Sequence, residues 1–170
     1  MKHALLGILL GFILIGCGYK PTSYYAKSAL GSRIYAEVAI SRQDPQNSVI
    51  IKDSVNEAIV GRFGARLVPK EEAETILNVK IASVGFAPSV YDKYGYVIAY
   101  KTIVQLDITA TQQGKSEQLK TSGEYDFSIE SNSVISDSKR FEAIRYAADS
   151  ALDEFVSKVA IKGLYRGNNH

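Results

Sequence analysis

Apolar and polar residues alternate along four stretches of this chain, and each stretch predicts a half-buried β-strand. In residues 33–41, Ile34, Ala36, Val38 and Ile40 alternate with Tyr35, Glu37 and Ala39, the period of two that sends successive side chains to opposite faces. Residues 75–86 set Leu77, Val79 and Ile81 against Asn78 and Lys80. The pattern is longest in residues 96–111, where Tyr100, Thr102, Val104, Leu106, Ile108 and Ala110 oppose Lys101, Gln105, Asp107 and Thr109. After Gln113-Gly114-Lys115, a hairpin signal, residues 118–130 place Thr121, Gly123, Tyr125, Phe127 and Ile129 on one face.

The period changes to that of a helix in two places. Asp53 is placed to cap a short helix with Val55, Ile59 and Phe63 on one face and Gly64 as its stop. Residues 138–162 carry Phe141, Ile144, Ala148, Ala151, Leu152, Phe155 and Val159 at spacings of three and four, a wide apolar stripe for laying on a sheet, and Gly163 ends the run. Asp44-Pro45-Gln46-Asn47 reads as a turn, Glu71, Glu72 and Glu74 as a polar connection, and residues 18–32 as an extended tether without periodicity.

The order strand, helix, three strands, helix predicts an α/β (α+β) two-layer sandwich, a four-stranded mixed sheet with two helices packed on one face. A right-handed crossover makes the first two strands parallel if they are neighbours, with an antiparallel meander after them. Phe155 is expected in the core.

The start of the chain is patterned differently. Lys2 precedes an apolar run from Ala4 to Ile15, and Leu14-Ile15-Gly16-Cys17 reads as a lipoprotein cleavage box with Gly16 as the small residue before the cut. The run is too short for the roughly 20 apolar residues of a membrane span. Cys17, the single cysteine, then becomes an acylated N-terminus. Each buried CH₂ contributes about 0.8 kcal/mol and one acyl chain binds only marginally, so the two or three chains of a bacterial lipoprotein, palmitate among them, make a firm anchor. Gly18 follows the cysteine where an aspartate favours inner-membrane retention in enteric lipoproteins, which points to the outer membrane. The expected division is a signal peptide over 1–16, lipid anchor and tether over 17–32, one domain over 33–166 and a flexible tail over 167–170.

With Cys17 lipidated, neither a disulfide nor a thiolate metal site is available. The formal charge of +2, from 20 basic and 18 acidic residues, provides no global field for a polyanion. The two histidines are His3, within the signal segment, and His170, the last residue. A Ser-His-Asp triad and a histidine metal cluster therefore lack their central part. Glu124 with Asp126, and Glu142, Asp149, Asp153 and Glu154 on the last helix, leave an acid–base pair as the remaining route to catalysis, but such side chains ordinarily form a solvated face. The expectation is a protein that is not an enzyme and needs no cofactor or metal. Gly61-Arg62-Phe63-Gly64 matches the GxxG loop with which KH domains clamp nucleic acid. Export of the chain and the extended segment after Gly64 favour a helix end instead, so no nucleic-acid partner is expected.

The connection between the second and third strands concentrates aromatics where turns ordinarily carry small polar residues. Tyr91, Tyr94 and Tyr96, with Tyr100 just inside the strand, flank Asp92, Lys93 and Gly95. Tyrosines so placed either fold back on their own domain or meet a partner.

The start Cys17-Gly18-Tyr19, the first strand and turn through Asp44-Pro45, the helix from Asp53 to Phe63 leading to Leu67-Val68, the Tyr-rich hairpin and the final helix occur in the order and spacing of a known family. Over the whole mature length the chain resembles LptE, the lipoprotein that assists the lipopolysaccharide-assembly barrel LptD. The resemblance implies a domain seated in the lumen of an LptD-like outer-membrane barrel, assisting its assembly and binding lipopolysaccharide, with Tyr91, Tyr94 and Tyr96 as the barrel contact. It places lipid-binding cations at Lys93, Lys139 and Arg140, where a cation beside a ring would meet a lipid phosphate while the ring covers an acyl chain. The competing reading is a periplasm-facing auxiliary lipoprotein of a transporter or surface organelle without lipopolysaccharide binding. A carboxylate hydrolase is a more distant one.

Overall fold

The structure, a computed structural model, describes residues 22–39 and 45–167, and of residues 22, 23, 25 and 163–167 only the backbone path. The signal segment, Cys17, Ile40, Asp44 and residues 168–170 of the expected tail lie outside the described residues. In chain order the elements are α1 (Thr22–Leu30), β1 (Arg33–Ala39), α2 (Pro45–Gly61), β2 (Arg66–Leu67), a 3-10 turn (Lys70–Glu72), β3 (Thr75–Tyr91), β4 (Val97–Gln112), β5 (Lys115–Ser128) and α3 (Asp137–Gly167).

The strands form one five-stranded sheet in the order β2-β1-β3-β4-β5. β1 is parallel to both β2 and β3, and β3, β4 and β5 are joined antiparallel. Register carries the apolar alternation across the sheet: Val38 lies beside Val79, Val79 beside Ile108, and Ile108 beside Leu119. Such rows present one apolar face, and α2 and α3 cover it with Ile51, Val55, Ile59, Ile144, Leu152 and Phe155, all buried. No described element covers the opposite face. A register shift between Ile81 and Ser83 changes the parity of β3. Before it, Leu77 and Val79 lie in the core, and after it Val84 and Phe86 pack there, because one extra residue reverses which side chains point inward.

Three expectations are corrected. The sheet has five strands rather than four, because Arg66 and Leu67 pair with Arg33 and Ile34. Two residues are too few to show a period. There are three helices rather than two: residues 22–30, expected as extended chain, form α1, whose Ala26 and Leu30, four apart, are buried in the core. α1 thus belongs to the folded body, and residues 17–21 of the expected tether lie outside the described residues. Gly31 ends α1 with φ of 82°, and the Glu74 carboxylate accepts the Ser32 amide at 2.6 Å, while Thr75 Oγ1 donates to the Leu30 carbonyl at 2.5 Å. The third correction is the start of α2, which begins at Pro45 and not at Asp53. Proline suits a first helical position because its missing amide would go unpaired there anyway.

In α3 the stripe departs from expectation at one end. Phe141 is 37% exposed, whereas Ala143, Ala147, Ala148 and Ala151 are fully buried. Small side chains let the helix backbone approach the sheet closely. At Gly123 of β5 a β-carbon would collide with the carbonyl oxygen of Ala147 and the amide nitrogen of Ala151.

Candidate functional site

β3 and β4 run past the helices, and from Ala87 to Tyr91 every residue of β3 is exposed. The tip closes on Asp92. Its Oδ1 accepts the amides of Tyr94 at 2.8 Å and Tyr96 at 2.9 Å, an Asx turn, while the Asp92 amide donates to the Tyr96 carbonyl. Gly95 supplies the positive φ, 84°, that the turn needs. Oδ2 accepts the hydroxyl of Ser131 at 2.6 Å, which ties the tip to the loop before α3. The tyrosines therefore stand on a braced turn rather than a loose loop, and Tyr94, at 74%, is the most exposed aromatic among the described side chains.

Asp92 is held below its ordinary value of 3.8, first by the Ser131 hydroxyl and, against the opposing effect of desolvation, by the turn amides. A carboxylate so lowered contributes order that is complete above its ordinary pKa and lost as pH falls through the folded value. The Tyr94 and Tyr96 amide resonances are expected to titrate together below pH 3.8, and Asp92→Asn to abolish that titration. A shared midpoint at or above 3.8 would contradict the brace.

The cations expected at this end are each set differently. Lys93 Nζ lies 4.9 Å from the Tyr94 ring centroid. The Arg140 guanidinium lies 5.1 Å from the Phe86 ring, over a cluster in which Phe86 meets Phe127 edge-on at 6.3 Å and Tyr100 stacks on Phe127 at 6.1 Å. Lys139 lines a cleft of about 430 Å³ with Ile129 and the largely exposed Val134. Lys93 and Arg140 thus each face a ring, but not the same one. Ser136 positions the α3 cations: its carbonyl accepts the Arg140 amide at 2.9 Å, and its hydroxyl accepts the Lys139 amide at 3.4 Å. The stacking of Arg140 on Phe86 was not readable from spacing, since it joins residues more than fifty positions apart. The Asx turn had a signal, Asp92 two residues before Tyr94-Gly95.

Of the acids considered for catalysis, Glu124, Asp149, Asp153 and Glu154 have structural partners. Glu124 pairs with Lys101 at 2.6 Å, and Asp149 and Asp153 face Arg62 at 3.8 and 3.1 Å. Arg62, between the glycines of the GxxG segment, also donates to the Asp149 carbonyl, and Gly64, with φ of 62°, leads into β2 rather than a second helix. Among the described residues no group of three or more His, Cys, Asp or Glu could hold a metal ion. No described helix is long and apolar enough to cross a membrane.

A candidate lipoprotein from Caulobacter crescentus has a similar fold at 12% identity, with 84% of this chain and 98% of that one covered and a TM-score of 0.53. Weaker overlaps are with lipoprotein B from Nitrosomonas europaea, 13% identical over 79% of this chain and 88% of that one with a TM-score of 0.49, and with rare lipoprotein B from Shewanella oneidensis, 12% identical over 81% and 94% with a TM-score of 0.43. A comparison with curated protein sequences finds no match. The model of the LptE family, described as lipopolysaccharide-assembly, matches residues 35–159. That span runs from β1 into α3 and takes in the whole hairpin, so this chain belongs to the LptE family.

Proposed function

We propose that this chain is a non-catalytic outer-membrane lipoprotein that sits in the lumen of an LptD-type barrel, assists its assembly and binds lipopolysaccharide. Cys17 is its lipid anchor and residues 1–16 its cleaved signal peptide. The observation that carries the reading is the tip: a braced turn presenting Tyr91, Tyr94 and Tyr96 to solvent, with cations over rings beside it. Amphipathic rings carried on a braced backbone lose less entropy on meeting a partner wall than rings on a loose loop, and ring-backed cations suit the phosphates of an anionic amphiphile.

A photo-crosslinker at Tyr94 in the intact membrane is expected to capture the LptD-type barrel. Capture from other surface positions but not from Tyr94 would overturn the orientation. For the lipid, Lys93→Glu with Lys139→Glu is expected to weaken lipopolysaccharide binding, most at low salt where exposed charges are least screened. Folding should change by no more than about 0.5 kcal/mol, as for surface substitutions generally. A folded double variant that binds lipopolysaccharide like the parent would remove these cations from the mechanism while leaving the barrel contact standing.

A further inference from the structure

β5 is an edge strand, and α3 caps only part of that edge. Ile129 donates to Ile98 of the neighbouring strand, so the odd-numbered residues of this stretch turn their amides and carbonyls toward β4 and the even-numbered ones turn theirs outward. At Ser122 the outward amide donates to Glu154 Oε2 at 2.7 Å, and at Lys120 the outward carbonyl accepts Lys158 Nζ at 2.7 Å. Glu154 and Lys158 also pair with each other at 2.9 Å. One helix ion pair thus closes the middle of the edge. Beyond it, among the described residues, nothing pairs with the outward amides and carbonyls of Glu124, Asp126 and Ser128. A bare edge is a ready template for another strand.

We infer that the β5 edge over residues 124–128 takes up an extended segment of a partner protein in which basic and apolar residues alternate. The two faces of the edge define that chemistry. On the open face Glu124 and Asp126 stand, among the described residues, against a single cation, Lys101, leaving negative charge. On the helix face Tyr125 packs at 4.7 Å on Tyr146, which is half exposed at 47%. An added strand sends alternate side chains to those two faces, so lysines or arginines would meet the acids while apolar residues cover the tyrosines. A second copy of this chain is disfavoured as occupant, because antiparallel pairing of two β5 edges would set acid against acid.

The test uses the full chain in detergent and a capped peptide, Lys-Val-Lys-Tyr-Lys-Val, with amide hydrogen exchange read residue by residue. The expected result is at least tenfold slower exchange at the Glu124, Asp126 and Ser128 amides at saturating peptide, with Ser122 unchanged. The same peptide N-methylated at alternate residues is expected to bind at least tenfold more weakly, as is the parent peptide to Glu124→Lys with Asp126→Lys. Absence of protection at 124–128, equal binding of the N-methylated peptide, or protection there without peptide in a chain that sediments as a dimer would each overturn the proposal.

Discussion

Gly123→Val is expected to leave little or no folded protein at physiological temperature. A β-carbon at this position meets the backbone of α3, at the Ala147 carbonyl and the Ala151 amide, and not the movable end of a side chain. The only relief is to lift the helix from β5. That would also open the contacts of Ala143, Ala147, Ala148 and Ala151, which are buried because the helix lies so close. Overpacking a core costs about 1–3 kcal/mol where side chains can give way and more where they cannot, against a total stability of about 5–15 kcal/mol for a domain. Gly123→Ala should already lower the denaturation midpoint markedly, because the clash lies at the β-carbon itself. Circular dichroism during urea titration would show it, and a parent-like midpoint for the alanine variant would mean that α3 does not lie where the structure has it.

Phe155→Ala should destabilise the domain by about 3–5 kcal/mol, the usual cost of emptying a buried phenylalanine site. Phe155 is 1% exposed and meets Phe63 edge-on at 5.7 Å, so its ring joins α3 to the chain that leaves α2. Neither neighbour can collapse into the gap. Phe63 sits just before the Gly64 turn, bonded through its amide to Ala58, and α3 is held by its alanine face against β5. The measure is the unfolding free energy from denaturant titration, and Phe141→Ala is the matched control. Phe141 lies on the same helix but is 37% exposed, so the same deletion there should cost much less. Equal losses at the two positions would contradict the orientation of α3.

What could be read from the chain followed the strength of its periods. Leu77 and Val79, Thr102 through Ile108, and Thr121 through Phe127 alternate without interruption, and these faces lie where alternation puts them. β2 is defined only by pairing with a distant strand, and α1 shows two core residues among tyrosines and small polar side chains, so neither leaves a local trace. The hydrophobic pattern shows only the later turns of α2, because its first turns bury Asn47 and Ser48, polar residues that such a pattern does not count. Hydrophobic size favours Phe141 over Ala143 and Ala147 for the core, whereas close packing of helix on strand buries the two alanines and leaves Phe141 37% exposed. At the tip, the unusual tyrosines were visible as composition. The placing of Arg140 on Phe86 and the bond from Ser131 to Asp92 depend on how α3 and its preceding loop return to the hairpin.

The attachment of Leu30 to Thr75 sets a length scale for the proposed anchor. Thr75 is the first residue of β3 and Tyr91, beside the aromatic tip, is the last. At about 3.3 Å per residue the strand separates those two points by roughly 50 Å. Cys17 is five residues before the start of α1, a span of at most roughly 18 Å for a fully extended chain, and α1 adds roughly 12 Å more before Leu30 is reached. An acylated Cys17 would therefore keep the Leu30–Thr75 end of the molecule within roughly 30 Å of its leaflet, while β3 itself is longer than a bilayer with its headgroups is thick, about 40–45 Å. A hairpin of that length, tethered near its base, could carry its tyrosines from one surface of a membrane to the other inside a pore without any part of the domain unfolding.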